Sequence, residues 1–383
     1  MTKMTSRERF ARMYAHKEAD RVPIIDSPWQ GTILRWRKEG LGDTDWVEFF
    51  DIDRVATISI DISPRFESKI VEETENFVTY KTPWGVTLRQ QRIPDSTPEY
   101  LSFTITNPDQ WKKAKERMTP SRDRVNWGHL EKNYRKWREA GAWIQGQFWF
   151  GFDVTHSWVV GTERFLLALV EEPEWCVDMF NHFLDMCIAH FEMILEAGYE
   201  IDCITWPDDM GYKQNQFFSR RMYRELLLPV QKRAIDWAHS KGLKAHLHSC
   251  GDIRPFVPDL VEAGLDALNP LEVKAGMDPI ELKQKYGDKL VLHGGLNAVL
   301  WNDPDAVEAE MRRLIPVMKE NGGFEAILAF IRKKADSKRG GMYGIAFLTA
   351  FMDIATANNT VAIVISAPIA RDITKEYGVD PRQ

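Results

Sequence analysis

The chain has 383 residues and a formal net charge of −6, with 50 Lys plus Arg against 56 Asp plus Glu. That balance offers no basic stripe and excludes an ordinary nucleic-acid binder. The length lies within the range of (β/α)₈ barrels with insertions, and it buries a core large enough to need no metal or disulfide as a staple.

Four cysteines, Cys176, Cys187, Cys203 and Cys250, form no close pair and no secreted disulfide pattern. Met1 to Phe10 is polar and charged, unlike a signal peptide. A reducing, cytoplasmic setting is expected, with no membrane and a small-molecule substrate.

Thr5-x-x-Glu8 fits a capping box, and Phe10, Met13 and Tyr14 share one helical face before Asp20-Arg21. Val22 to Asp26 reads as a buried strand, Ile33 to Gly40 as a helix and Val55 to Ile60 as a second strand. Residues 66 to 93 alternate differently, with runs at 69–74, 77–81 and 85–89, and predict an antiparallel β-meander inserted into the main fold. Two charged helices follow, from Pro108 to Met118 and from Asn126 to Gly141.

From residue 143 the rhythm becomes regular. Apolar runs recur at 143–150, 203–206, 245–247, 267–269 and 290–292, separated by amphipathic segments that end in Ala-Gly or Lys-Gly. A glycine-closed helix followed by a buried strand is the repeating unit of a parallel sheet. No dinucleotide-type glycine loop interrupts it, so the prediction is an α/β fold: one (β/α)₈ TIM barrel with a β-meander insertion, a single domain over 1–383. An eighth strand is expected near Phe324 to Phe330. The apolar run Met342 to Ile369 contains Asp353, Asn358 and Asn359, which a bilayer would penalise, so it is read as buried protein.

Barrel chemistry sits at the C-terminal ends of strands. The residues there include Asp26 and Trp29, Trp149 and Asp153, Trp206, Asp208, Asp209 and Tyr212, then His248 and Cys250, Glu272, and His293-Gly294-Gly295. His248 and Cys250, two positions apart, can point to one side and share a metal ion, for which zinc suits a nitrogen and sulfur donor pair. A buried cysteine beside a core histidine is the plainer alternative, and His246 reads as a strand-core residue. Asp208-Asp209 supplies an acid–base pair, or a carboxylate that holds a metal or a cationic substrate, or a helix cap with a salt bridge, and Tyr212 accompanies them as a candidate catalytic group. Glu272 and His293 are candidate further ligands, or structural residues. Asp26, Trp29, Trp149 and Trp206 are candidates for a substrate-binding wall, although tryptophans also pack.

The stretch from Trp206 to Ala298 resembles the uroporphyrinogen decarboxylase family. The resemblance rests on Asp208-Asp209-Met210-Gly211-Tyr212, His248-Ser249-Cys250-Gly251-Asp252, residues 271–278 and His293-Gly294-Gly295. Arg7 to Asp26 and Trp84-Gly85-Val86 look similar too. It implies a barrel with its site at the mouth, and one of two chemistries: cofactor-independent decarboxylation of a porphyrinogen, or zinc-dependent methyl transfer involving a corrinoid (cobalamin-type) substrate, free or on a partner corrinoid protein.

Decarboxylase members carry arginines just after the first strand, where this chain has Asp26-Ser27-Pro28-Trp29-Gln30-Gly31. A polyanionic porphyrinogen would meet acids there, a strongly unfavourable encounter unless Arg65, Arg92, Lys213 or Arg254 compensates. The methyltransferase branch has the His-x-Cys-Gly that His248 and Cys250 match. Its late third ligand is a cysteine, and none follows Cys250. Glu272, His293 or Asp208 would then complete the site. The expectation is a methyltransferase or demethylase component. The alternatives are a carboxy-lyase of the decarboxylase type and a non-catalytic tetrapyrrole- or corrinoid-binding barrel. Residues 324–383 do not align with the family.

Overall fold

A computed structural model of the chain describes residues 4–92, 97–300 and 303–319. The expected strand at 324–330 and the apolar run 342–369 lie outside them. The fold is α/β, built on a parallel sheet with the order β1-β6-β7-β8-β9-β10. Its strands are β1 (Val55–Ile58), β6 (Trp143–Gln147), β7 (Cys203–Pro207), β8 (Lys244–His248), β9 (Ala267–Asn269) and β10 (Val291–Leu292). Each pairs in parallel with its neighbour.

Alternation decides which face each side chain takes. In β8, Ala245 and Leu247 are buried, whereas Lys244, His246 and His248 are only half-buried on the other face. The buried face packs against helices Pro173–Glu196 and Leu228–Ser240, whose Met179, Phe183, Phe191, Ala234 and Ile235 join one continuous core. The opposite face carries Gln145, Gln147, Thr205, His246, His248 and Asn269, all half-buried.

Val22 to Asp26 is a correction: it runs extended without joining the sheet. Ile24 is instead tied to Asp53, donating its N–H to Asp53 Oδ2 and accepting the Asp53 N–H, both at 2.8 Å. Asp53 is itself clamped by Arg9 and Arg21 at 2.6 and 2.5 Å. The capping box at Thr5 and Glu8 forms as expected and starts helix Ser6–Tyr14.

The meander has four strands rather than three: β2 (Lys69–Glu73), β3 (Phe77–Lys81), β4 (Val86–Gln91) and β5 (Glu99–Phe103), paired in sequence order. β5 escaped sequence reasoning because Glu99 to Phe103 is half-exposed or exposed throughout and shows no alternation of burial. The meander leans on the loop after β6 through Trp84, whose ring meets Trp158 at 5.6 Å.

Candidate functional site

The C-terminal ends of β7 and β8 bring the motif residues together. His248 closes β8, and the pairing continues one residue further as Ser249 N–H donates to Asn269 O at 2.8 Å. Cys250 then turns over the rim, its N–H donating to Asp209 Oδ1 at 2.7 Å. Its Sγ lies 3.5 Å from His248 Nε2, and that nitrogen lies 3.7 Å from Asp209 Oδ1. One donor atom from each of Asp209, His248 and Cys250 falls within 4.8 Å of the others, so the three can hold one ion.

Gly251 makes this turn possible. Its φ is +79°, a left-handed conformation, and a Cβ there would sit 2.1 Å from the Gly211 carbonyl carbon. The loops after β7 and β8 therefore touch backbone to backbone. Ser249 Oγ accepts the Met210 N–H at 3.2 Å, and Asp252 N–H donates to Tyr212 O at 3.1 Å.

Burial and the neighbouring carboxylates of Asp209 and Glu272 push the Cys250 thiol up to about 12. Burial likewise raises the Asp209 carboxyl. Without a cation both shifts disfavour the ionised forms. A bound cation reverses that preference, because it stabilises thiolate and carboxylate together.

The two adjacent aspartates part company. Asp208 is fully buried, and burial raises its carboxyl to about 8. It accepts from Gln231 Nε2 at 2.7 Å and from Asp153 N–H at 3.0 Å, while Tyr223 hydroxyl donates to Gln231 Oε1 at 2.8 Å. Gly151 must be glycine here, since a Cβ would stand 2.4 Å from Asp208 Oδ2. Asp208 thus fastens the loop after β6 to the end of β7, away from solvent. Asp209, with its side chain 36% exposed, faces the rim.

Glu272 does not join the trio; it accepts the Gly251 N–H at 2.6 Å and pairs with Lys274 at 2.9 Å. His293 stands 5.7 Å from His246, ring to ring. Burial lowers His246 to about 3 and His293 to about 4, so both are neutral at physiological pH. Tyr212 is exposed and its ring meets that of Phe217 at a tilt, 5.5 Å away.

Trp206 corrects the expectation of a substrate wall. It occupies a buried position of β7, fully enclosed and stacked on Phe150 at 5.5 Å, because alternation turns it toward the helices. Trp149 is half-buried against Trp158 at 4.8 Å, and Trp29 and Asp26 are exposed. Asp153, which sequence reasoning placed at a strand end without a role, has its N–H bound to Asp208, and its carboxylate acts electrostatically on Asp209 and Cys250. The signal that could have found it was its place directly after the apolar run ending at Phe150.

Three of the four cations considered as partners for a polyanion are engaged elsewhere. Arg65 binds Asp61 and Asp123, Arg92 binds Glu73, and Arg254 makes two bonds of 2.8 Å to Asp252.

The sequence model of the uroporphyrinogen decarboxylase family matches residues 154–329, so the resemblance read from Trp206 to Ala298 is borne out. The Na+/H+ antiporter family matches residues 314–383, overlapping the end of the first match. Among solved structures the chain is similar to a methyltransferase from Methanosarcina mazei, with a TM-score of 0.55 and 16% identity over 96% of this chain and 99% of that one. The likeness is one of fold. No curated protein sequence matches. Among the described residues, no helix is long and apolar enough to cross a membrane.

Proposed function

We propose that the chain is an enzyme that moves a methyl group between a corrinoid and a small acceptor or donor at a zinc site formed by Asp209, His248 and Cys250. The observation that carries this reading is the donor set itself: a carboxylate, an imidazole and a thiol converge at a rim where His248 and Asp209 remain more than one-third exposed. Mixed oxygen, nitrogen and sulfur donors suit zinc, and three protein ligands leave a fourth position for a substrate.

In this reading Asp209, rather than Glu272, His293 or Asp208, takes the place that a late cysteine holds in the methyltransferase branch. Zinc in this position lowers the pKa of a bound thiol or polarises a leaving group. The protein's own part is to hold Cys250 by its N–H on Asp209, and to brace the following turn through Gly251 on Glu272. The acids at the rim, with Arg65, Arg92 and Arg254 already paired, disfavour the decarboxylase alternative, whose polycarboxylate substrate needs free cations.

The test is spectroscopic. Zinc-loaded protein, methylcobalamin and a small thiol are mixed, and loss of the methylcobalamin spectrum is followed. The reading expects turnover that stops in Cys250→Ser. Consumption of uroporphyrinogen by metal-free protein, with methylcobalamin untouched, would replace it with the decarboxylase reading.

A further inference from the structure

Asp153 opens the short helix Phe152–Val154 after β6, and the sealed Asp208 holds it there through its backbone N–H. β6 neighbours β7 in the sheet, and the Asp153 side chain is 20% exposed there. The groups that face it electrostatically are Asp208 and Asp209 from the end of β7, Cys250 from the end of β8, and Tyr100 from β5. His248 adjoins Asp209 on the far side. Among the described residues, no Lys or Arg forms an ion pair with either Asp153 or Asp209.

The one ionisable partner of Asp153 is His156, one helical turn on. Its Nε2 lies 3.5 Å from Asp153 Oδ1 and makes no hydrogen bond as placed. The opposite ring nitrogen, Nδ1, lies 2.9 Å from the hydroxyl of Thr162, which is exposed. The imidazole is fixed between a rim carboxylate and a solvent-facing hydroxyl, stacked on Phe152 at 4.4 Å. Such a chain can accept a proton at one end and release it at the other.

We propose that Asp153 is the catalytic base of this site, taking the proton that a thiol acceptor gives up on entering it, and that His156 passes this proton to solvent beside Thr162. The proposal rests on the methyl-transfer reading with a thiol as acceptor. In the step itself the S–H bond breaks and an O–H bond forms on the Asp153 carboxylate. Sulfur keeps the electron pair with which it later attacks the methyl carbon. No oxidant or reductant is involved.

Cobalt(II) in place of zinc gives a readout other than turnover, since each thiolate brought to the metal adds a near-ultraviolet charge-transfer band. The probe is 2-mercaptoethanol, mixed by stopped flow with cobalt-loaded full-length protein at several pH values. Wild-type protein is expected to capture the thiol at a rate only weakly dependent on pH. Asp153→Asn is expected to slow capture at least ~100-fold at pH 7, the lower end of the ~10²–10⁴-fold contribution of general base catalysis, and to make the rate climb steeply with pH. Cobalt content and end-point affinity should stay within about threefold of wild type, which separates a proton role from structural damage. His156→Gln should slow capture less. Capture by Asp153→Asn at the wild-type rate and pH profile would overturn the proposal and leave the methyl-transfer reading standing. No thiol capture by cobalt-loaded wild-type protein would overturn both.

Discussion

The two sides of β7's end show how one dipeptide yields two environments. Behind the strand, Asp208 is sealed with Gln231, Tyr223 and the outward Trp206, and burial keeps its carboxyl protonated at neutral pH. In front of it, Asp209 meets His248 and Cys250 within reach of solvent. Both are acids at a strand end, so composition cannot separate them. What separates them is the period of two along β7 and the helix start at Phe152 that claims Asp208. The lesson is that the wall holds the geometry and the rim holds the chemistry.

Substitutions at the wall sharpen that contrast most. Asp208→Ala strips Gln231 Nε2 and the Asp153 N–H of their acceptor, at a cost of roughly 1–3 kcal/mol for each buried group left unpaired. Denaturant unfolding should show this loss while metal stoichiometry remains unchanged. Asp208→Asn should cost less and should alter the pH dependence of stability. The folded carboxyl is raised to about 8, so between its ordinary range and pH 8 the folded state binds more protons than the unfolded one. Stability must then fall as pH rises through that window. The depressed His246 and His293 work in the opposite sense, losing stability as pH falls below their ordinary value near 6.5. Above about pH 6.5 only the Asp208 slope remains of these, and Asp208→Asn should flatten it there. A slope that persists in the variant would mean that Asp208 is ionised in the folded protein.

The meander edge supplies the smallest expected effect. Ile70 on β2 is 63% exposed, and Ile70→Lys should change stability by no more than ~0.5 kcal/mol, with metal binding untouched. A larger loss in thermal unfolding would show that this edge is covered in solution.

Much of the frame was legible in the sequence. The glycine-closed helices announced β7, β8 and β9, and the period of two placed His248 at the end of its strand facing away from the helices. Which of Asp208 and Asp209 would be the third donor was not legible. Asp209 reaches Cys250 only because Gly211 and Gly251 let two loops touch, a contact between residues forty positions apart that no local spacing encodes. Asp153 was hidden for the same reason, since its tether to Asp208 spans 55 positions. Val22 to Ile25 misled because Ile25 packs against the cluster of Phe10, Tyr14 and Trp143 and Ile24 is tied to Asp53, while Val22 stays exposed and no ladder forms. The first family match ends at residue 329, and the second, over residues 314–383, overlaps it, so the two likenesses compete across the segment where the eighth strand was expected.

The most direct test is metal analysis of protein purified without added zinc, alongside its Asp209→Ala, His248→Ala, Cys250→Ser and Glu272→Gln variants. The account predicts one equivalent of zinc in wild type and in Glu272→Gln. In the other three it predicts a fall in affinity of more than ~100-fold, beyond what loss of a supporting group costs, with unfolding midpoints little changed. Full zinc occupancy in Asp209→Ala, or a wild-type protein that takes up none, would contradict it.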